Sequence, residues 1–437
     1  MNKINPKIKI LIRQHFRQNF TDQKFIAGKT PIPASGKIFN SKEMEMATEA
    51  VLDGWWTEGR FNDRFEKRLA NWFGLKNCIT VNSGSSANLL AVSALCSSKL
   101  GKKRLKKGDE VITVSAGFPT TINAIIQNNL KPVFVDIDLG TYNASLEGIK
   151  KAISKKTKAI LLAHTLGNPF NLGEITKLCQ RHRLWLIEDN CDALGSVYKN
   201  KKTGTFGQIA TCSFYPAHHI TTGEGGALLT DDPLLNKVVR SLRDWGRDCW
   251  CHTGCDGTCG KRYSWQLGKL PYGYDHKYIY SEFGYNLKMT DMQAALGLAQ
   301  LGKLERFIQK RRVNFDFLYN NLKSLDKYFI LPQEEKYSIP SWFGFILTLK
   351  DNCSFLREDL LKYLNQHKIS TRLLFGGNIT KQPNFVNYGV KFRKIGILQN
   401  TDKAMKDTFW IGVYPGLNRQ MLSFIVDKFK EFIAINT

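Results

Sequence analysis

Four groups of residues in this chain could do chemistry. The first is Ser213-Phe214-Tyr215-Pro216-Ala217-His218-His219-Ile220-Thr221-Thr222-Gly223-Glu224-Gly225-Gly226. An imidazole in it could move protons, because its ordinary pKa of about 6.5 lies near neutral pH. The second is Leu184-Trp185-Leu186-Ile187-Glu188-Asp189-Asn190-Cys191-Asp192, an apolar run that ends in acids. Ligands in open α/β sheets gather at the carboxyl ends of strands. A carboxylate there can pair with a protonated pyridine nitrogen and make that ring an electron sink; the same acids would equally suit a helix cap or a solvated loop. The third is Val81-Asn82-Ser83-Gly84-Ser85-Ser86-Ala87-Asn88, a strand end, a small polar turn and a helix start. Its backbone N–H groups suit a phosphate, and its serines also suit an ordinary N-cap. The fourth is Cys249, Cys251, Cys255 and Cys259, four of the ten cysteines. Clustered thiols in a chain of 437 residues without a secretory signal point to a metal rather than to disulfides.

The elements that must position these groups alternate. Strands are expected over Cys78–Val81, Glu110–Val114, Pro132–Val135, Ala159–Ala163 and Leu184–Ile187, with a helix over Ser86–Ser97. Apolar strands separated by helices predict a mostly parallel, doubly wound sheet covered on both faces, an α/β fold. Residues 247–285 break the pattern and read as an insertion loop. Helical spacing returns over Met289–Leu322, as one long helix or two in series. Strands over Phe345–Leu349 and His367–Leu374, with helices over Leu356–Gln366 and Arg419–Ile433, predict a smaller α+β part. The division expected is a basic arm (1–35), a large coenzyme-binding domain (36–300), and a linking helix with a small C-terminal domain (301–437).

Composition narrows the function. The chain is long enough to bury a large core, and no run of about 18 apolar residues predicts a membrane span. The basic N-terminus, with Lys3, Lys7, Lys9, Arg13 and Arg17, lacks the apolar core of a signal peptide, so a cytoplasmic location is expected. The formal charge of +25 suits anionic partners. Lysines are spread along the chain without a nucleic-acid-binding signature, so a negatively charged small substrate is expected rather than nucleic acid.

Taken in order, the motifs resemble the pyridoxal-phosphate sugar aminotransferase family of fold type I, the aspartate-aminotransferase fold. They are Gly54-Trp55-Trp56-Thr57-Glu58-Gly59, Ser83-Gly84-Ser85, Gly117-Phe118-Pro119-Thr120-Thr121, Glu188-Asp189, the segment 213–226, and Gly284-Tyr285-Asn286-Leu287-Lys288-Met289 with Gln293-Ala294-Ala295. The resemblance spans roughly residues 35–435. It implies that Gly84, Ser85 and Ser213 bind the coenzyme phosphate, that Phe118 stacks on the ring, and that Asp189 pairs with the ring nitrogen. It also implies that Asn286 reaches the phosphate of a neighbouring subunit in a homodimer. His218 stands where the family carries the lysine that holds the coenzyme as a Schiff base. An imidazole moves protons but cannot form a stable imine, so a free coenzyme, pyridoxamine 5′-phosphate (PMP), is expected, or else an inactive relative with a structural histidine. Asp192 and Tyr215 also depart from the family's usual residues. Tyr215, Phe343 and Arg372 are candidate substrate contacts, with core packing and a surface arginine as the plain alternative.

The spacing Cys-x57-Cys-x-Cys-x7-Cys, from Cys191 through Cys249 and Cys251 to Cys259, resembles the ligand set of the iron–sulfur 3-dehydrases of 3,6-dideoxysugar biosynthesis. Four thiolates suit a [2Fe–2S] cluster or structural zinc, and Cys255 could substitute for one of them. If the chain stays extended after Asp189, Cys191 follows on the same side about 6.5–7 Å away, which would put a cluster beside the coenzyme. The resemblance then implies C3 dehydration and deoxygenation of CDP-4-keto-6-deoxy-D-glucose, or of a dTDP-linked sugar. His218 would be the proton-abstracting base, and a separate NADH-dependent flavin/iron–sulfur reductase would supply electrons. Rival readings are a non-catalytic metal-binding subunit and a lysine-free dehydrase that works without a cluster.

Overall fold

A computed structural model of the chain describes residues 4–20, 24–251 and 253–436. Its largest sheet has eight strands in the order Asn77–Val81, Gly226–Thr230, Ile209–Ser213, Trp185–Asp189, Thr157–Ala163, Glu110–Val114, Lys131–Val135 and Arg393–Lys394. The run from Ile209–Ser213 to Arg393–Lys394 is parallel throughout, and Gly226–Thr230 pairs antiparallel with both of its neighbours. Strands such as Glu110-Val111-Ile112-Thr113-Val114 are buried at every position, as expected of a sheet sandwiched between helices. Two apolar clusters cover its faces, one around Ile112, Val133, Ile160 and Leu186 and the other around Ile79, Leu90, Leu161 and Ile187. The expected doubly wound, mostly parallel α/β fold is what forms.

A second, antiparallel sheet joins Phe329–Ile330, Gly344–Leu349 and Thr408–Gly412. Helices Leu304–Leu322, Arg357–Gln366 and Arg419–Asn436 pack on it through Phe315, Leu318, Leu360, Leu364, Ile425 and Phe429. The expected strand over His367–Leu374 does not form. Lys368 turns the chain with a φ of 64°, and only single bridges remain, Ile369 to Ile32 and Arg372 to Trp410. A β-favouring composition was overridden there by the need to turn out of the preceding helix. The helical stretch after Met289 is two helices, Asp291–Leu301 and Leu304–Leu322, broken at Gly302 and Lys303. The N-terminal arm forms a helix over Pro6–Asn19, capped by the Asn5 side chain and tied to the body by Arg13 on Glu45 at 2.8 Å. Lys3 lies outside the described residues. No helix among them is long and apolar enough to cross a membrane.

Three strand ends and two helix starts meet at one edge of the large sheet. Strand Asn77–Val81 leads into helix Gly84–Cys96, whose N-cap Ser83 accepts from the Ser86 N–H. Helix Pro119–Gln127 starts on a proline directly after Phe118. Trp185–Asp189 ends on the acids. Ile209–Ser213 ends where the chain leaves on the excursion 214–225, and that loop is closed at its neck by Phe214 N–H on Gly225 O and Thr222 N–H on Phe214 O. Among its described residues the stretch 247–285 carries one 3-10 turn, His276–Tyr278, and is otherwise irregular.

Candidate active site

These converging ends enclose a cavity of about 500 Å³. Gly84, Ser85, Phe118, Asp189, Cys191, Ser213, Tyr215, His218, Phe343 and Arg372 all line it. Ten residues singled out from sequence positions far apart are thus brought together. Asn286, Cys249, Cys251 and Cys259 are not among the lining residues.

Asp189 is 4% exposed. One carboxylate oxygen accepts from Asn88 Nδ2 at 2.8 Å and Thr121 Oγ1 at 2.6 Å; the other accepts from the Cys191 N–H at 3.2 Å. Asn88 is itself fixed by Thr211 Oγ1 on its Oδ1 at 2.7 Å. All of these donors are neutral, so they orient the carboxylate and leave its charge to be met by something in the cavity. A protonated ring nitrogen fits that demand. On the other wall, helix Gly84–Cys96 presents its first backbone N–H groups. Gly84 sits so close to Ser213 that a Cβ there would lie 2.5 Å from the serine Cβ, and a Cβ on Gly226 would lie 2.5 Å from the Ser83 carbonyl. Only glycines let the two chains close around an anion here. Ser85 Oγ donates to Thr120 Oγ1 at 2.9 Å across the same wall. The half-exposed Phe118 ring packs at right angles to Phe375 at 6.2 Å and lines the cavity, where it can stack on a flat ligand. A pyridine ring carrying a phosphate therefore fits these residues.

His218 keeps 15% of its side-chain surface, 5.2 Å from the Phe343 ring. Burial pushes its imidazole down to about 4, Arg311 adds to this, and Asp189 opposes it. Its Nδ1 lies 3.4 Å from Asp192 Oδ1 without hydrogen-bond geometry. Asp192 is pushed up to about 8, by burial first and then by the charge of Asp189. Burial thus favours the neutral form of both partners and disfavours an ion pair between them. His218 is held as a free base, which is the state a proton acceptor needs. Its neighbour His219 plays another part. Its Nε2 reaches the Ser341 carbonyl at 2.8 Å, and because a carbonyl only accepts, that nitrogen carries the hydrogen.

Arg311 was not picked out from the sequence. It is buried, and its Nη1 donates to the carbonyls of Trp342 and Phe343 while its Nη2 donates to those of Ala217 and His218, at 3.2–3.4 Å. Set in Lys310-Arg311-Arg312 it reads as a solvated charge run. Phe307, Phe315 and Leu318, four before and four and seven after it, place it on the buried face of its helix, and that spacing was the available signal. Asn88 and Thr121 carried no signal of their own, because polar residues inside helices are common.

Two expectations about the cysteines are corrected. The chain does not stay extended past Asp189. It turns at Asn190, with the Ala193 N–H on the Asn190 carbonyl and the Cys191 N–H folded back onto the Asp189 side chain. Cys191 reaches the coenzyme cavity by that turn. Cys249, Cys251, Cys255 and Cys259 instead line a separate cavity of about 10 Å³, with Asp256, His276 and Lys277. There burial raises Cys249; in Cys251, hydrogen bonds from Thr258, the Cys259 backbone and Cys249 outweigh burial and bring the thiol down to about 7. Among the described residues no group of three or more His, Cys, Asp or Glu is placed to hold a metal ion. The expected set of Cys191 with Cys249, Cys251 and Cys259 does not assemble within one chain.

Known proteins match at every level of this description. The sequence is 54% identical over 435 residues to the lipopolysaccharide biosynthesis protein RfbH of Salmonella typhimurium, covering 100% of this chain and 99% of that one. It is 51% identical over 423 residues to a dTDP-4-dehydro-2,6-dideoxy-D-glucose 3-dehydratase of Saccharopolyspora spinosa, covering 97% and 91%. The solved GDP-4-keto-6-deoxy-D-mannose-3-dehydratase of E. coli with bound hydrated PLP superposes with a TM-score of 0.81 at 30% identity, covering 91% of this chain and 98% of that one. The model of the DegT/DnrJ/EryC1/StrS aminotransferase family matches residues 37–430. With a fold type I sheet, a cavity at its carboxyl edge and this match over most of its length, the chain belongs to the DegT/DnrJ/EryC1/StrS aminotransferase family.

Proposed function

We propose that the chain is a PMP-dependent sugar 3-dehydratase acting on a nucleotide-linked 4-keto-6-deoxyhexose in deoxysugar biosynthesis. The observation that carries this reading is that His218, at the position of the family's lysine, lines one cavity with Gly84, Ser85, Phe118, Asp189 and Ser213. The names of the 51% and 30% identical 3-dehydratases point the same way. When bound, PMP supplies an amine for the sugar carbonyl and a ring that accepts electrons.

The chain's own residues do the rest. Gly84, Ser85 and Ser213 hold the phosphate, Phe118 covers one ring face, and Asp189 keeps the ring nitrogen protonated. His218 takes a proton at the coenzyme C4′ carbon. The protonated imidazole then gives that proton to the departing C3 hydroxyl, which leaves as water. Tyr215, Phe343 and Arg372 contact the sugar and its diphosphate, and the basic surface draws that anion in. Because no lysine competes for the coenzyme, PMP remains free to meet the sugar.

In its finer form the reading takes CDP-4-keto-6-deoxy-D-glucose as substrate, a cytoplasmic homodimer as the working unit, a [2Fe–2S] cluster on the cysteine loop, and a separate NADH-dependent flavin/iron–sulfur reductase. The separation of Cys191 from the other thiols favours a second form, a dehydratase without a cluster. The 51% identical relative favours a dTDP-linked sugar. Purified protein assayed for PMP, iron and acid-labile sulfide, then given CDP- and dTDP-4-keto-6-deoxyglucose with and without an electron donor, separates these forms. Failure to bind PMP, or retention of the C3 hydroxyl in every case, would sink the dehydratase reading.

A further inference from the structure

The cavity occupies the carboxyl edge of the large sheet, and the amino edge opposite it is strongly charged. Three segments that lead into neighbouring parallel strands meet there. They are Lys102-Lys103-Arg104-Leu105-Lys106-Lys107 before Glu110–Val114, Lys155-Lys156-Thr157-Lys158 at the start of Thr157–Ala163, and Arg181-His182-Arg183 before Trp185–Asp189. The strands pair in that order, so the segments lie side by side. Trp185 Nε1 donates to the Lys103 carbonyl at 2.9 Å, and the Glu110 N–H donates to the Lys156 carbonyl at 2.9 Å, which fixes the segments against one another. An open hollow of about 490 Å³ on this edge is lined in part by Lys155, Lys158 and His182. These thirteen residues carry ten lysines and arginines and no aspartate or glutamate, in a chain with 63 basic and 38 acidic residues. The excess is therefore local and exceeds the basic background. All of the ten but Arg104 are exposed. Among the described residues no carboxylate pairs with any of them. The carboxylates close by in sequence are engaged elsewhere: Glu110 holds Arg393 at 2.7 Å, and Asp109 accepts from the Lys106 backbone N–H at 2.8 Å.

Folding accounts for few of these charges. Arg181 and His182 end the helix Leu172–His182, where a cation meets the helix dipole. Lysines at strand starts do nothing comparable for the sheet. Neighbouring strands lie about 5 Å apart, within a screening length of about 8 Å at physiological salt, so the segments repel one another until an anion meets them. We propose that this edge is a docking surface for a membrane that bears anionic lipid headgroups. The three segments offer no Phe, Tyr or Trp to stack on bases or to fill a pocket in a partner protein, and no Asn or Gln to read base edges. Seven of the ten cations are lysines, hydrated point charges on flexible stems that suit a diffuse field better than a fixed, bidentate partner. Each such cation near an anionic bilayer strengthens binding by about fivefold, so the edge can dock reversibly with no apolar insertion. A protein held by its amino edge turns the coenzyme cavity away from the bilayer and keeps it open to water.

The test is co-sedimentation of the full chain with vesicles of phosphatidylcholine alone or with one-third phosphatidylglycerol, at about 0.15 M salt. The wild type should bind the anionic vesicles at least about tenfold more tightly than the neutral ones. A variant carrying K106E, K107E, K155E and K156E should lose more than about tenfold of that affinity. A control carrying K323E, K350E, K362E and K430E, four exposed lysines outside this edge, changes the net charge equally and should keep it. Wild type that binds both kinds of vesicle alike overturns the proposal. So does equal loss in the two variants, since net charge alone would then explain binding. A random-sequence DNA duplex that strips the wild type from the vesicles at equal phosphate concentration also overturns it, because the edge then serves nucleic acid. PMP binding reports that each variant is folded, and alanine replaces glutamate at the same four positions if a reversed chain does not fold.

Discussion

The coenzyme cavity and the cysteine loop solve opposite problems. The cavity is built from strand ends and helix starts, and its key carboxylate is held from three directions before any ligand arrives. Among its described residues the loop has one short 3-10 turn, rings that are half exposed or more, and thiols in a small cavity of their own. Chemistry that depends on a proton moving at a fixed atom needs preorganised groups on rigid elements. A surface loop outside the coenzyme cavity is under no such demand and can keep an irregular backbone.

The contrast can be broken first at its centre. His218→Asn should lower the dehydration rate by about 10²–10⁴-fold while PMP still binds; undiminished turnover would remove His218 from the reaction. Two glycines sharpen the comparison next. Gly84→Ala drives a Cβ to 2.5 Å from the Ser213 Cβ and should weaken PMP by about tenfold or more, a cost above about 1.4 kcal/mol. Gly257→Ala in the loop meets nothing within 4 Å and pays only for its φ of 65°, about 1 kcal/mol of stability, with PMP affinity unchanged. Equal losses of PMP affinity would mean the cavity is no more demanding than the loop.

Acid stability offers a further test. The folded His218 has its pKa near 4, below that of an unfolded histidine near 6.5, so the unfolded chain takes the proton first. The group's contribution is present above about 6.5 and is lost as pH falls toward 4. Asp192 runs the other way: it holds its proton in the fold up to about 8, and its contribution is lost as pH rises from about 3.8 through 8. Between about 4 and 6.5 the two slopes offset. Asp192→Asn should therefore expose the histidine slope, a loss approaching about 3 kcal/mol on going from pH 6.5 to 4 in denaturant titrations. A variant whose slope over this range matches the wild type's would mean that His218 is not held as described. The smallest effect belongs to the loop root: Lys99→Ala removes a partly exposed ion pair with Asp248 and should cost under about 1 kcal/mol in a thermal melt.

Much of this was legible in the sequence because it rests on local signals. Unbroken apolar runs such as Glu110–Val114 can satisfy only a strand buried on both faces, and small residues at a strand end can serve only where backbones approach closely. What was not legible depends on distant chain. His367–Leu374 has a strand's composition, but Lys368 turns it away from any long ladder. Cys191 was expected beside Asp189 through extended chain, and it arrives through a turn that the Asp189 side chain itself stabilises. Arg311 looked like surface charge, because nothing near it in sequence reports the four carbonyls it serves.

That arginine sets how the cavity can breathe. One guanidinium ties the segment carrying His218 to the Trp342–Phe343 segment, so the base and its aromatic neighbour move as a single jaw. Parting them to admit a sugar would strand a buried cation. The opposite side, where Phe118 meets Phe375, is joined as well, by the Gly376 N–H on the Gly117 carbonyl, the Ile379 N–H on the Ser115 carbonyl and Ser115 Oγ on Asn378 Oδ1. With the base and Phe343 held together, the proton-transfer geometry should stay undisturbed between turnovers.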